Sequence, residues 1–315
     1  MKLRLSTVMA ALCLLAMSAG AQAVDNTPYN RVTQKASHNS IDRQETLPET
    51  LQFDRAQPYQ AGCRAIELDL VLSEQYLGPD DNWASSVQHD GAYDWKKTTL
   101  VDDLTILRNW ARANPNHDVV TVYMDLKNAP GDDATYTRKV EEQFVQALGR
   151  ENLFTPGDLQ RGAATLLAGA RQFGWPTLAQ LKNKFILVFT GADGDSAVRR
   201  RREYLSADTQ NRLAFVDWDQ RTAGNNPSAP PYTNGNRVFI NINYGRSGWC
   251  ELAVSAQSAT GFATRAWVEN DSTSWGNAQR AAVNILATDK VKNNSWAFVG
   301  DGTAPFAVAP AGRCP

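Results

Sequence analysis

The chain has 315 residues, with 32 Lys and Arg against 33 Asp and Glu, and a formal charge of −1. A nearly neutral chain without a basic block lacks the electrostatic footprint of a nucleic-acid binder. It carries 4 cysteines and no C-x-x-C spacing, which argues against a thiolate zinc site.

The first segment reads as a targeting signal rather than as structure. Lys2 and Arg4 precede an apolar run from Leu5 to about Met17, and Ala19 to Ala23 offer small residues for cleavage. The run is short for a bilayer span. Residues 1–23 are therefore expected to be a signal peptide, and residues 24–315 one exported domain, periplasmic or extracellular. Loss of Lys2 and Arg4 takes the charge two units further negative. Export permits a disulfide. Cys250 and Cys314 are the preferred pair, and Cys63, which opens an apolar strand, reads as a buried thiol.

Strands are expected at 32–38, 64–70, 119–127, 185–190, 213–218, 237–242 and 282–288, with a short one near 86–89 to complete eight. Helices are expected near 47–60, 101–113, 136–148, 177–182, 197–206 and 277–281. Alternation of this kind argues for parallel strands covered by helices, and the length favours a closed α/β barrel. In the helix at 101–113, Asp102 and Asp103 occupy the dipole-favoured first turn. Leu104, Leu107 and Ala111 mark a stripe, with Ile106 and Trp110 beside it, and Asn114-Pro115 ends it.

Two strands carry acids on one face. In 64–70, Ile66, Leu68 and Leu70 point one way, and Glu67 and Asp69 the other. Adjacent buried carboxylates repel unless a cation joins them. In 119–127, Val120, Val122, Met124 and Leu126 form the apolar side, while Thr121, Tyr123, Asp125 and Lys127 form the polar one. The polar groups gather at the C-terminal end, where barrel enzymes keep their active sites. Asp125 is a candidate third carboxylate. Lys127 is a candidate substrate contact, or simply its ion-pair partner. His38 and His89 both follow strands, whereas His117 precedes one and lies at the opposite end. Glu67, Asp69, Asp125 and the Asn39 amide are hard oxygen donors, suited to Ca²⁺ or Mg²⁺. The two histidines are then available for proton transfer, which imidazole performs near neutral pH.

These residues resemble the PLC-like phosphodiesterase superfamily, and within it the calcium-dependent phosphoinositide phospholipase C family. The likeness rests on Gln-Lys-Ala-Ser-His-Asn-Ser at 34–40, Gly-Cys-Arg-Ala-Ile-Glu-Leu-Asp at 62–69, Gln-His-Asp at 88–90 and Val-Tyr-Met-Asp-Leu-Lys at 122–127. Further likeness follows at 174–178, 184–187 and 284–289. The resemblance implies a distorted TIM (β/α)8 barrel. It implies Ca²⁺ held by Asn39, Glu67, Asp69 and Asp125, His38 near the attacking 2-hydroxyl of an inositol lipid, and His89 protonating the diacylglycerol oxygen. Arg246, in Tyr-Gly-Arg-Ser-Gly at 244–248, is a candidate substrate contact. The expected partner is a phospholipid at a membrane surface, met by a monomer.

Asp90 after the second histidine also resembles glycerophosphodiester phosphodiesterases. Those enzymes usually carry an Arg after the first histidine, where this chain has Asn39. A catalytically inactive headgroup-binding protein on the same barrel is a third alternative. Trp249, Trp267, Trp275 and Trp296 are candidates for membrane contact, with burial in the core the commoner fate of tryptophan.

Overall fold

The computed structural model describes residues 24–77, 83–87, 98–128, 136–191, 201, 204, 211–220, 235–267 and 269–315. The strands are β1 (Val32–Ser37), β2 (Ala65–Leu77), β3 (Trp83–Val87), β4 (Thr98–Thr99), β5 (Val120–Asn128), β6 (Phe185–Thr190), β7 (Phe215–Asp219), β8 (Phe239–Asn243), β9 (Ala263–Trp267), β10 (Ile285–Thr288) and β11 (Phe306–Val308). Among the described residues, the sheet runs β1-β10-β9-β8-β7-β6-β5-β2, all parallel, and the pairing of β1 with β2 closes it into an eight-stranded barrel. β11 adds antiparallel to β1.

The short strand expected near 86–89 is not part of the barrel. It is β3, antiparallel to β2, and with β4 it forms an outer extension of the sheet. β9 is the barrel strand that the sequence pattern conceals, because Ala-Thr-Arg-Ala-Trp offers no apolar run.

The helices are α1 (Leu47–Leu51), α2 (Leu100–Ala113), α3 (Tyr136–Leu148), α4 (Pro156–Gln160), α5 (Leu166–Phe173), α6 (Trp249–Ser258) and α7 (Ser272–Arg280). The helix expected over 47–60 stops at Leu51, because Gln52 turns extended and Phe53 bridges back to Ala61. The helix expected at 277–281 starts earlier, at Ser272, where Asp271 caps the free N–H groups of Thr273 and Ser274. That at 177–182 is a 3₁₀ turn, Ala179–Leu181. Most of 197–206 lies outside the described residues.

The predicted alternation along β2 and β5 holds. Ile66, Leu68, Leu70, Val122 and Met124 pack outward with Leu104, Leu107 and Phe144 of the covering helices. Inside, the N-terminal end of the barrel is plugged by aromatic rings. Tyr29 stacks on Trp175 at 5.4 Å, and Trp175 and Phe215 meet Phe239 edge-on at 5.4 and 5.2 Å. Polar side chains are thereby left to the middle and the C-terminal mouth. Cys250 and Cys314 form a disulfide with Cα atoms 5.6 Å apart, and Cys63 is a buried free thiol.

Candidate active site

Parallel register brings the carboxylates together. Asp69 of β2 is the cross-strand partner of Asp125 of β5, which in turn pairs with Thr190 of β6. All three are buried. One step deeper, Glu67 pairs with Tyr123. The backbone packs tightly behind Asp125: a Cβ at Gly191 would stand 2.0 Å from Asp125 Oδ1, and Gly191 has φ +108. Only glycine serves there.

His38 and Asn39 reach the same group from the end of β1. Asn39 adopts a left-handed conformation (φ 47, ψ 58), which asparagine tolerates better than most residues. This turns its backbone N–H onto Glu67 Oε2 at 3.1 Å. His38 Nε2 lies 3.6 Å from the same oxygen. Its Nδ1 is 3.0 Å from Asp289 Oδ1, and its ring stacks on Trp267 with centroids 5.4 Å apart.

Asp289, just past β10, is fixed in turn. Asn270 donates to its Oδ2 at 2.7 Å, and Arg43 Nη2 lies 3.2 Å from its Oδ1. Burial, the largest single influence, favours the neutral acid. The His38 hydrogen bond and charge, with Asn270 and Arg43, outweigh it and bring the carboxyl down to about 2. An ionised Asp289 accepts from Nδ1–H and leaves Nε2 of His38 as a proton acceptor. Arg43 also donates to the carbonyls of Asn39 and Asp289, tying the loops on either side of His38.

Below this rim runs a buried polar chain. Arg265 of β9 donates to Glu67 Oε2 at 2.8 Å and to Asn241 Oδ1 at 3.0 Å. Asn241 donates to Thr190 Oγ1 and Asp219 Oδ2, each at 2.9 Å. Asp217 of β7 is a further buried acid. Burial and the neighbouring Asp219 raise it to about 7, with Arg201 opposing.

Of the residues expected at the site, His38, Asn39, Glu67, Asp69 and Asp125 converge at one end of the barrel. Arg246 follows β8 at that same end, where its guanidinium reaches the carbonyl of Gln220 at 3.4 Å. His89 lies outside the described residues, and so does the side chain of Lys127, whose backbone continues β5. His117 sits at the opposite end, buried between Trp110 and Phe185, and burial lowers its pKa. Trp275 is buried in the core, which does not suit membrane contact; Trp267 is partly buried and stacks on His38, and Trp249 and Trp296 pack partly against the core. Arg43, Arg265, Asn270 and Asp289 join the site only through barrel closure, without a local sequence signal.

The donor chemistry fits a hard divalent cation. Asp69 and Asp125 place two buried carboxylates in register, with Glu67 and Asn39 adjoining and no sulfur or imidazole among them. Among the described residues, no group of three or more His, Cys, Asp or Glu side chains is drawn to ligand spacing. Glu67 Oε2 instead faces Arg265 and the Asn39 N–H.

The model of the family described as phosphoinositide phospholipase C, Ca²⁺-dependent, matches residues 89–298. The chain is similar to a calcium-dependent phosphoinositol-specific phospholipase C from a Gram-negative Pseudomonas species in its apo form. That likeness covers 91% of this chain and 96% of the other, with TM-score 0.67 at 20% identity. A myo-inositol complex from the same source gives TM-score 0.66 at 19% identity, over 91% and 97% of the two chains. A Ca²⁺-dependent phosphatidylinositol-specific phospholipase C from Streptomyces antibioticus gives 0.58 at 18% identity, over 84% and 95%. At these identities the structural likeness establishes the barrel fold. No curated protein matches the sequence. The family match, covering well over half of the chain, establishes that it belongs to the Ca²⁺-dependent phosphoinositide phospholipase C family of phosphoric diester hydrolases.

Proposed function

We propose that the chain is an exported, calcium-dependent enzyme that cleaves phosphatidylinositol-type lipids to diacylglycerol and a cyclic or hydrolysed inositol phosphate. The observation that carries this reading is His38 held between Asp289 and Glu67 at the rim where Asp69 and Asp125 stand in register. Asp289 orients the imidazole, and His38 Nε2 takes the proton of the attacking 2-hydroxyl. His89 donates the proton that the diacylglycerol oxygen needs on leaving. Asn39, Glu67, Asp69 and Asp125 would hold the ion, and Lys127 and Arg246 would contact the phosphoinositol. Bound Ca²⁺ supplies charge neutralisation on the phosphoryl oxygens and acidifies the hydroxyl; Mg²⁺ is the alternative for the same donors.

Residues 24–315 act as one domain, as a monomer at the lipid surface. The leader pattern of residues 1–23 and the Cys250–Cys314 bridge support export. No helix among the described residues is long and apolar enough to cross a membrane.

The test is a panel of phosphodiesters with and without Ca²⁺, followed by phosphorus NMR. Phosphatidylinositol vesicles are expected to release inositol phosphate only with the metal. Preference for glycerophosphocholine would make the chain a glycerophosphodiesterase. Headgroup binding without turnover of any diester would make it a binding protein.

A further inference from the structure

Glu67 is held from two sides. From the rim it meets the Asn39 N–H at 3.1 Å, and from within the barrel it meets Arg265 Nη2 at 2.8 Å. Arg265 is 2% exposed. Its guanidinium carbon lies 4.6 Å from the centroid of the Tyr123 ring, and its Nη1 donates to Asn241 Oδ1 at 3.0 Å. Asn241 is itself anchored to Thr190 and Asp219. A guanidinium gripped by a ring, an amide and a carboxylate is preorganised, and it cannot follow Glu67 toward the mouth.

We propose that Arg265 and the divalent cation compete for Glu67, so that Arg265 sets the calcium affinity of the site. The inference rests on the metal-site reading under Proposed function. Without metal, Arg265 is the counter-ion that a buried carboxylate requires. When a cation is bound by Asp69 and Asp125, Glu67 must either leave Arg265 or share its carboxylate between two positive centres. In a low-dielectric interior those centres repel strongly. Both routes weaken metal binding relative to a barrel with a neutral residue at this position.

The test is calorimetric titration of the full chain with CaCl₂, using wild type, R265Q, R265K and D125N, beside thermal unfolding in chelator and in Ca²⁺. R265Q is expected to bind Ca²⁺ about tenfold more tightly, within the usual span of coupling between two sites. It should also melt lower than wild type in chelator and gain more on adding Ca²⁺. If R265Q does not fold in chelator, R265K is decisive, because one ammonium cannot hold both Asn241 and Glu67; its affinity is expected to rise about fivefold, the lower end of that span. A purely structural role for Arg265 would leave Ca²⁺ affinity unchanged or lower it in both variants, and that result overturns the inference while D125N still abolishes binding. If wild type binds no Ca²⁺, or D125N binds it as wild type does, the metal-site reading itself falls and takes the inference with it.

Discussion

Asp289 accepts from His38 Nδ1 while Asn270 and Arg43 hold its other contacts, so the imidazole has one orientation. H38A is expected to lower turnover about 10²–10⁴-fold, as the proposed general-base role requires, measured by inositol phosphate release. D289N should lower turnover and shift its pH profile, since the Nδ1 proton loses its ionised acceptor. The same variant has a stability signature. The Asp289 carboxyl falls from an ordinary 3.8 to about 2 in the folded protein, so it stabilises the fold above pH 4 and that contribution disappears as pH drops through 2. D289N should therefore cost about 1 kcal/mol near neutral pH, where solvent screens the partly exposed carboxylate, and flatten acid unfolding between pH 4 and 2, followed by tryptophan fluorescence. None of this was legible locally. Asp289 lies 251 positions from His38, and only barrel closure makes them neighbours. Glu67, Asp69 and Asp125, by contrast, announced themselves through strict alternation with apolar residues.

At the level of elements, α2 shows how a correct boundary can hide a different chemistry. Thr99 caps the helix in a box with Asp102. The sequence places Asp103 in the dipole-favoured first turn; the structure adds that it is buried, accepting from Thr98 Oγ1 at 2.6 Å, while Ile106 is 37% exposed. The inward stripe is Leu100, Asp103, Leu104, Leu107 and Trp110, as helical spacing from Leu100 requires. Burial raises the Asp103 carboxyl to about 7, against the Thr98 hydrogen bond. The folded protein holds this proton more tightly than the unfolded chain, so the contribution of Asp103 to stability is full below pH 4 and is lost as pH rises through 7. D103N, which keeps an acceptor for Thr98, should match wild type at pH 4 and melt higher at pH 8. Calorimetry at the two pH values checks this. β9 marks the opposite limit: a buried arginine flanked by small residues carries no strand signal, and its ion pair with Glu67 emerges only from three dimensions.

Across the described residues, the C-terminal segment is fastened to the first barrel strand and to α6 and α7. β11 lies along β1, Gly312 and Arg313 bond to Gln257 and Arg280, and the bridge closes a span of 64 residues. Chain-entropy arguments put that closure at about 4 kcal/mol, so C314S should melt several degrees lower without losing Ca²⁺ binding. Chelator should abolish turnover on phosphatidylinositol vesicles, and added Ca²⁺ should restore it. The barrel's staves are unevenly joined. β2 and β5 share seven registered pairs, whereas β1 and β2 share one, Ala36 with Ala65, beside the Arg64 N–H bond to the Lys35 carbonyl, so the cylinder has a seam. Asn39 and Glu67 grip each other just above it. Any momentary parting along that line separates His38 and Asn39 from Glu67, Asp69 and Asp125 before it disturbs the remaining staves. Amide protons bordering the join should accordingly exchange with deuterium ahead of those between β2 and β5.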